Sequence, residues 1–187
     1  MGKYHLGPDE PRALALAAQH GVDTFVETGT YKGGTTAWAA KHFRHVYTIE
    51  AYAARYNALM RVPVLERPAN AQYLFGDSRV ELPLLLAVLR RPCMFWLDAH
   101  WCGEGAHDSV DECPLREELV AINADDYAAK HVIMIDDARL FEAPPPMPHD
   151  PAQWLTLYEV YALLGDRDVY LDKDIIYALP RGDGDRL

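Results

Sequence analysis

Cysteine is scarce, with three residues (Cys93, Cys102 and Cys113) in a chain of 187. An odd count at that density excludes a disulfide framework. Long apolar runs are missing as well; nothing approaches the ~20 apolar residues that span a bilayer, so no membrane partner is expected. The opening stretch MGKYHLGPDEPRAL has no apolar signal core, and the cytoplasm is the expected location. Positive charge is in deficit: 18 Lys and Arg stand against 28 Asp and Glu, a net charge of −10. That balance argues against a nucleic-acid partner, whose phosphates demand neutralising cations. Internal repeats and low-complexity linkers are absent. What is plentiful is hydrophobic residue, 50% of the chain, enough for one well-buried core and too little length for two. One domain over residues 1–187 is expected.

Short apolar runs alternate with amphipathic stretches. Strands are predicted at 23–27 (DTFVE), 45–50 (HVYTIE), 71–75 (AQYLF), 93–97 (CMFWL) and 131–135 (HVIMI). Helices are predicted at 35–43, 52–61, 79–89, 114–129 and 152–164, with Pro83 placing the start of the third in doubt. Pro114 suits a first helical position, followed by Glu117 and Glu118 in the acid-favouring first turn. The runs at 168–171 and 175–179, separated by about three polar residues, read as a hairpin. Residues 1–20 are expected to form a covering helix and 181–187 a loose tail. Alternation of this kind builds a doubly wound, mostly parallel α/β sheet of seven strands, with the hairpin adding an antiparallel strand.

In such a sheet, ligands bind beyond the carboxyl ends of the strands, where the strand order reverses. All five strand ends of the alternation carry a carboxylate. The first leads into Glu27-Thr28-Gly29-Thr30-Tyr31-Lys32-Gly33-Gly34, a turn whose glycines let the backbone approach a ligand ahead of a helix N-terminus. The second ends in Glu50, placed to accept from ribose hydroxyls. The third precedes Asp77-Ser78, suited to an adenine edge, or with Asp77 acting simply as a helix cap. The fourth ends in Asp98-Ala99-His100. The fifth ends in Asp136-Asp137, which also reads as a capping pair or a salt bridge with Arg139. His100 has three open readings: a general base, a nitrogen ligand to a metal, or a residue hydrogen-bonded within its loop. His100, Cys102, His107 and Cys113 supply the donor types of a zinc site without its compact spacing. The loops at 99–113 and 138–151 therefore read first as active-site loops, with Trp101 and residues 144–147 as apolar walls.

The series FVETGTYKGGTT, VYTIEA, LFGDS, FWLDAHW and VIMIDDARLF resembles the class I S-adenosylmethionine-dependent methyltransferases over roughly residues 20–180. The resemblance implies a Rossmann-like methyltransferase fold with S-adenosylmethionine held by Glu27, Thr28, Gly29, Gly33, Glu50, Asp77 and Ser78. Glu27 stands where a dinucleotide dehydrogenase has the first glycine of its turn; a carboxylate there repels pyrophosphate and attracts the ammonium of a methionine moiety. Asp98 with Asp136-Asp137 narrows the likeness to metal-dependent small-molecule O-methyltransferases, including the macrocin type acting on macrolide sugars and those acting on aminocoumarins. That likeness implies magnesium on Asp98, Asp136 and Asp137, a small-molecule acceptor, and Asp98 and His100 as the catalytic pair. Hard cations suit carboxylate oxygens and make a bound hydroxyl more acidic. The sugar-modifying enzymes follow the first aspartate with a second two residues on, where this chain has His100.

Three other readings differ in chemistry: a metal-independent O- or N-methyltransferase, a metal-dependent hydroxylase or hydrolase on the same fold, and a non-catalytic cofactor-binding module. A homodimer is the base-rate expectation for assembly.

Overall fold

The structure, a computed structural model, describes residues 7–100, 111–143, 145–147 and 149–182. Among them are the strands β1 Thr24–Thr28, β2 His45–Glu50, β3 Ala71–Phe75, β4 Met94–Leu97, β5 Val132–Ile135, β6 Asp168–Asp172 and β7 Ile175–Leu179. They form one sheet in the order β3-β2-β1-β4-β5-β7-β6. The first five are mutually parallel, while β7 runs antiparallel to both β5 and β6. The expected sheet and its closing hairpin are both present.

Burial on two faces explains the continuous apolar runs. Along β4, Phe95 and Leu97 join the core under α4 (Ser78–Leu89), α5 (Leu115–Ala124) and α7 (Leu157–Leu164). Met94 and Trp96 join the opposite core, covered by α1 (Glu10–His20) and α2 (Gly34–His42). The period-2 alternation of a strand divides neighbouring residues between these layers. Helix α1 is tied to the hairpin by Lys173–Asp9 at 2.6 Å and Arg12–Asp172 at 3.0 Å. Arg12 also lies over the rings of Tyr170 and Tyr177.

Differences from expectation lie at element ends. The covering helix begins at Glu10, where Asp9 accepts from the Arg12 N–H as its cap; residues 1–6 lie outside the described residues. Helix α4 begins at Ser78 because Asp77 caps it, and Pro83 is carried in its second turn at the loss of one backbone bond. The helix expected over 114–129 stops at Ala124: the Asp125 carboxylate captures the Tyr127 N–H and meets His131, and a 3₁₀ turn, Ala128–Lys130, follows. The one expected over 152–164 starts at Leu157. Thr156 and Glu159 form a capping box there, and Pro151–Gln153 is a separate 3₁₀ turn. The remaining helices are α3 (Ala53–Arg61) and the single turn α6 (Arg139–Glu142).

Candidate functional site

Strand order reverses between β1 and β4, so the crossovers on either side run over opposite faces and leave a crevice past the strand ends. The chain ends there are knitted in step. Gly29 N–H donates to the Ile49 carbonyl at 2.9 Å, Asp98 N–H to Thr28 at 3.1 Å, and Asp136 N–H to Leu97 at 3.2 Å. Gly29 has φ of 88°, and a Cβ on it would lie 2.2 Å from the Asp98 carbonyl oxygen. Only glycine lets β1 and β4 leave the sheet this close together.

The candidate cofactor residues divide by what they touch. Glu27 is sealed beneath the turn: its Oε2 accepts from Thr36 at 2.5 Å and Thr48 at 2.7 Å, and Thr48 meets Thr30 at 2.6 Å. Burial pushes its carboxyl up to about 7 against the pull of those hydroxyls, with Asp98 adding to the rise. Gly33, at φ 76°, starts α2 in a left-handed conformation. The Glu50 oxygens accept from the Tyr31 N–H at 2.8 Å and the Tyr52 N–H at 2.9 Å. A carboxylate has about four lone-pair sites, so each oxygen keeps capacity for a hydroxyl. Asp77 does cap α4 and also grips Arg79, whose guanidinium holds it below the ordinary carboxylate range. Ser78 and Thr28 are buried.

The catalytic candidates converge. His100 Nε2 lies 3.0 Å from Asp137 Oδ2 and 3.7 Å from Asp98 Oδ1. Burial opposes its charged form, but the Asp137 bond and the charges of Asp98, Asp137 and Asp136 outweigh it and raise the imidazole to about 9. Burial, Asp98 and Asp137 push Asp136 up to about 8. Asp98 rises to about 6 for the same reason, with His100 pulling the other way. Asp137 falls to about 2 despite burial, because His100 and Arg139 both bond it. Of the two readings of the Asp136-Asp137 pair, the salt bridge is present: Asp137 and Asp174 both accept from Arg139.

Magnesium was expected on Asp98, Asp136 and Asp137, and these residues do not fit one as they stand. The Asp137 oxygens are taken by His100 and Arg139, and Asp136 Oδ1 accepts the Asp137 N–H at 2.8 Å. Among the described residues, no group of three or more His, Cys, Asp or Glu is arranged to hold a metal ion. Trp101, Cys102 and His107 lie outside the described residues, as does Pro144. Cys113 is buried, its thiol pushed up to about 12 by burial.

One site residue escaped sequence reading. Glu118 on α5 is 1% exposed and faces Thr28 and Ser78 from below the crevice. Burial raises it to about 7, and among the described residues its Oε1 has no hydrogen-bond partner, nor has Thr28 Oγ1. Its acid was legible as a first-turn residue complementing the helix dipole. The missed signal is spacing: Leu115, Glu118, Leu119 and Ile122 lie at i, i+3, i+4 and i+7, the buried stripe of α5. Beside the crevice, Trp154 packs edge-on against His100 at 5.6 Å and donates its indole N–H to Glu112 at 2.8 Å. A cleft of about 240 Å³ opens by this tryptophan, lined in part by Asp111, Arg116 and Gln153.

No protein-family model matches the sequence, and no curated protein matches it significantly. Solved structures do. An O-methyltransferase of Streptomyces achromogenes involved in tomaymycin synthesis, TomG, in complex with SAM, superposes with a TM-score of 0.60 at 16% identity over 95% of this chain and 82% of its own. The O-methyltransferase of Bacillus cereus in complex with SAH gives 0.59 at 15% identity, over 95% and 84%. The SAH-bound methyltransferase PaMTH1 of Podospora anserina gives 0.57 at 14%, over 91% and 77%. The fold is therefore the Rossmann-like fold shared with these methyltransferases.

Proposed function

We propose that this chain is an S-adenosylmethionine-dependent methyltransferase acting on an oxygen of a small molecule. The observation that carries it is electrostatic. Glu27, Asp136 and Glu118 are buried around the switch point with Asp98 partly exposed beside them, and all four are held above the ordinary carboxylate range. Buried acids in excess of their cations leave a site that favours a positively charged ligand. S-adenosylmethionine brings a sulfonium and an ammonium to such a site and supplies the methyl group. The neighbours that are complexed with SAM or SAH share the fold, which supports the same reading.

In this reading the chain's residues divide the work. The Gly29 turn lets the backbone come close to the cofactor, and the α2 N-terminus presents backbone N–H groups to it. Glu50 accepts from ribose hydroxyls, and Asp77 and Ser78 face the adenine. Asp98 takes the acceptor's hydroxyl proton, being ionised near neutral pH yet close enough to it to accept efficiently. His100, protonated up to about 9, then holds the oxygen as a hydrogen-bond donor, and the base role expected of it passes to Asp98. The oxygen's electron pair forms the new bond to carbon as the sulfur keeps the pair of the old one. Magnesium enters no step.

Calorimetric titration with S-adenosylmethionine and S-adenosylhomocysteine tests this. Binding at micromolar affinity is expected, with protons released as the acids ionise. Absence of heat for both ligands at millimolar concentration would sink the reading.

A further inference from the structure

His100 stands where the resemblance calls for a second acid, and its contacts show what it does instead. Its Nε2 reaches Asp137 Oδ2 at 3.0 Å and Asp98 Oδ1 at 3.7 Å from a side chain that is 5% exposed. The Trp154 ring stands edge-on to the imidazole, and Glu112 fixes that indole. Arg139 occupies the other Asp137 oxygen and is itself shared with Asp174. Asp137 is held at φ 54°, a left-handed conformation uncommon for a residue with a side chain. That conformation turns consecutive acids Asp136 and Asp137 toward different partners: the first to the Asp137 N–H, the second to His100 and Arg139.

Hard cations need several carboxylate oxygens free and converging. Here the point of convergence is filled by a nitrogen donor.

We propose that His100 is a built-in replacement for the divalent cation: it closes the Asp98, Asp136 and Asp137 cluster from within the chain and leaves no tight seat for a metal. Its meaning for methyl transfer rests on the methyltransferase reading; its meaning for metal binding does not. The substitution His100→Asp removes the donor that pins Asp137 and adds a carboxylate beside Asp98, so it opens a hard-oxygen site. His100→Asn makes the same change with a neutral amide oxygen and serves should the charged variant fail to fold.

Manganese(II) is the probe, read by electron paramagnetic resonance on chelator-washed whole protein, with thermal melting to establish that each variant folds. The wild type is expected to bind Mn²⁺ no tighter than about 1 mM. His100→Asp is expected to gain roughly a hundredfold or more from the added ligand charge, and His100→Asn a smaller gain. Stoichiometric Mn²⁺ binding by the wild type at micromolar affinity, abolished by Asp136→Asn, overturns the proposal. So does a folded His100→Asp protein that binds no more Mn²⁺ than the wild type. Titration with S-adenosylmethionine on the same samples is read separately. Its failure removes the methyltransferase reading and leaves the Mn²⁺ result standing.

Discussion

At Gly29 two constraints coincide, a φ of 88° and an Asp98 carbonyl oxygen 2.2 Å from where a Cβ would stand. The first alone costs a side-chain-bearing residue about 1–3 kcal/mol, and the second forces β1 and β4 apart at the crevice. Gly29→Ala is therefore expected to lower the melting temperature by several degrees. It should also weaken S-adenosylmethionine binding more than tenfold; a variant that melts and binds like the wild type would show the turn to be slack. The strand-end acids were readable because each follows an apolar run and precedes a polar turn, a pattern visible in one dimension. What each carboxylate touches was not. Glu27 has three threonines in or near its cage, contributed by the turn, α2 and β2. Such pairings become visible only when parallel strands are set in register. The double engagement of Asp137 by His100 and Arg139 is likewise a product of the backbone turning left-handed at that residue.

Among the elements, strands were more legible than helix ends. A run such as MFWL or VIMI, buried on both faces, has few alternatives to a central parallel strand. Helix limits depend instead on which side chain captures a free N–H first. Asp125 ends α5 five residues before its apolar pattern would, and Thr156 opens α7 five residues after the expected start. The capping box at α7 satisfies the Thr156 and Glu159 N–H groups reciprocally. Thr156→Ala is expected to cost about 1 kcal/mol, a drop of about 2–4 °C in a chain of this length. Differential scanning calorimetry reads this directly, and an unchanged transition would mean that α7 is held by packing alone.

On the scale of the whole molecule, the acids around the crevice govern how stability responds to pH. Glu27 and Glu118 near 7, Asp98 near 6 and Asp136 near 8 hold their protons longer in the folded chain than in the unfolded one. Their contribution is complete below the ordinary carboxyl range and is lost as pH rises through about 6 to 8. His100, raised to about 9, acts in the same sense: its contribution is complete below 6.5 and is lost as pH rises through about 9. Asp137, lowered to about 2, acts oppositely, but only in strong acid. The free protein is thus expected to melt at progressively lower temperature from pH 5 to pH 9. Glu118→Gln should flatten the profile by up to about 3 kcal/mol at the alkaline end. A melting temperature that climbs over that interval would contradict this assignment.

Strand β7 is out of chain order in its half of the sheet. It is synthesised forty residues after β5, from 135 to 175, yet it lies between β5 and β6. On the ribosome, β5 can pair with β4 on one side, but its other edge, on a strand apolar on both faces, has no mate until the hairpin follows. A nascent chain paused between those points exposes the segment best able to pair with a neighbouring polypeptide, and chaperone demand should peak there.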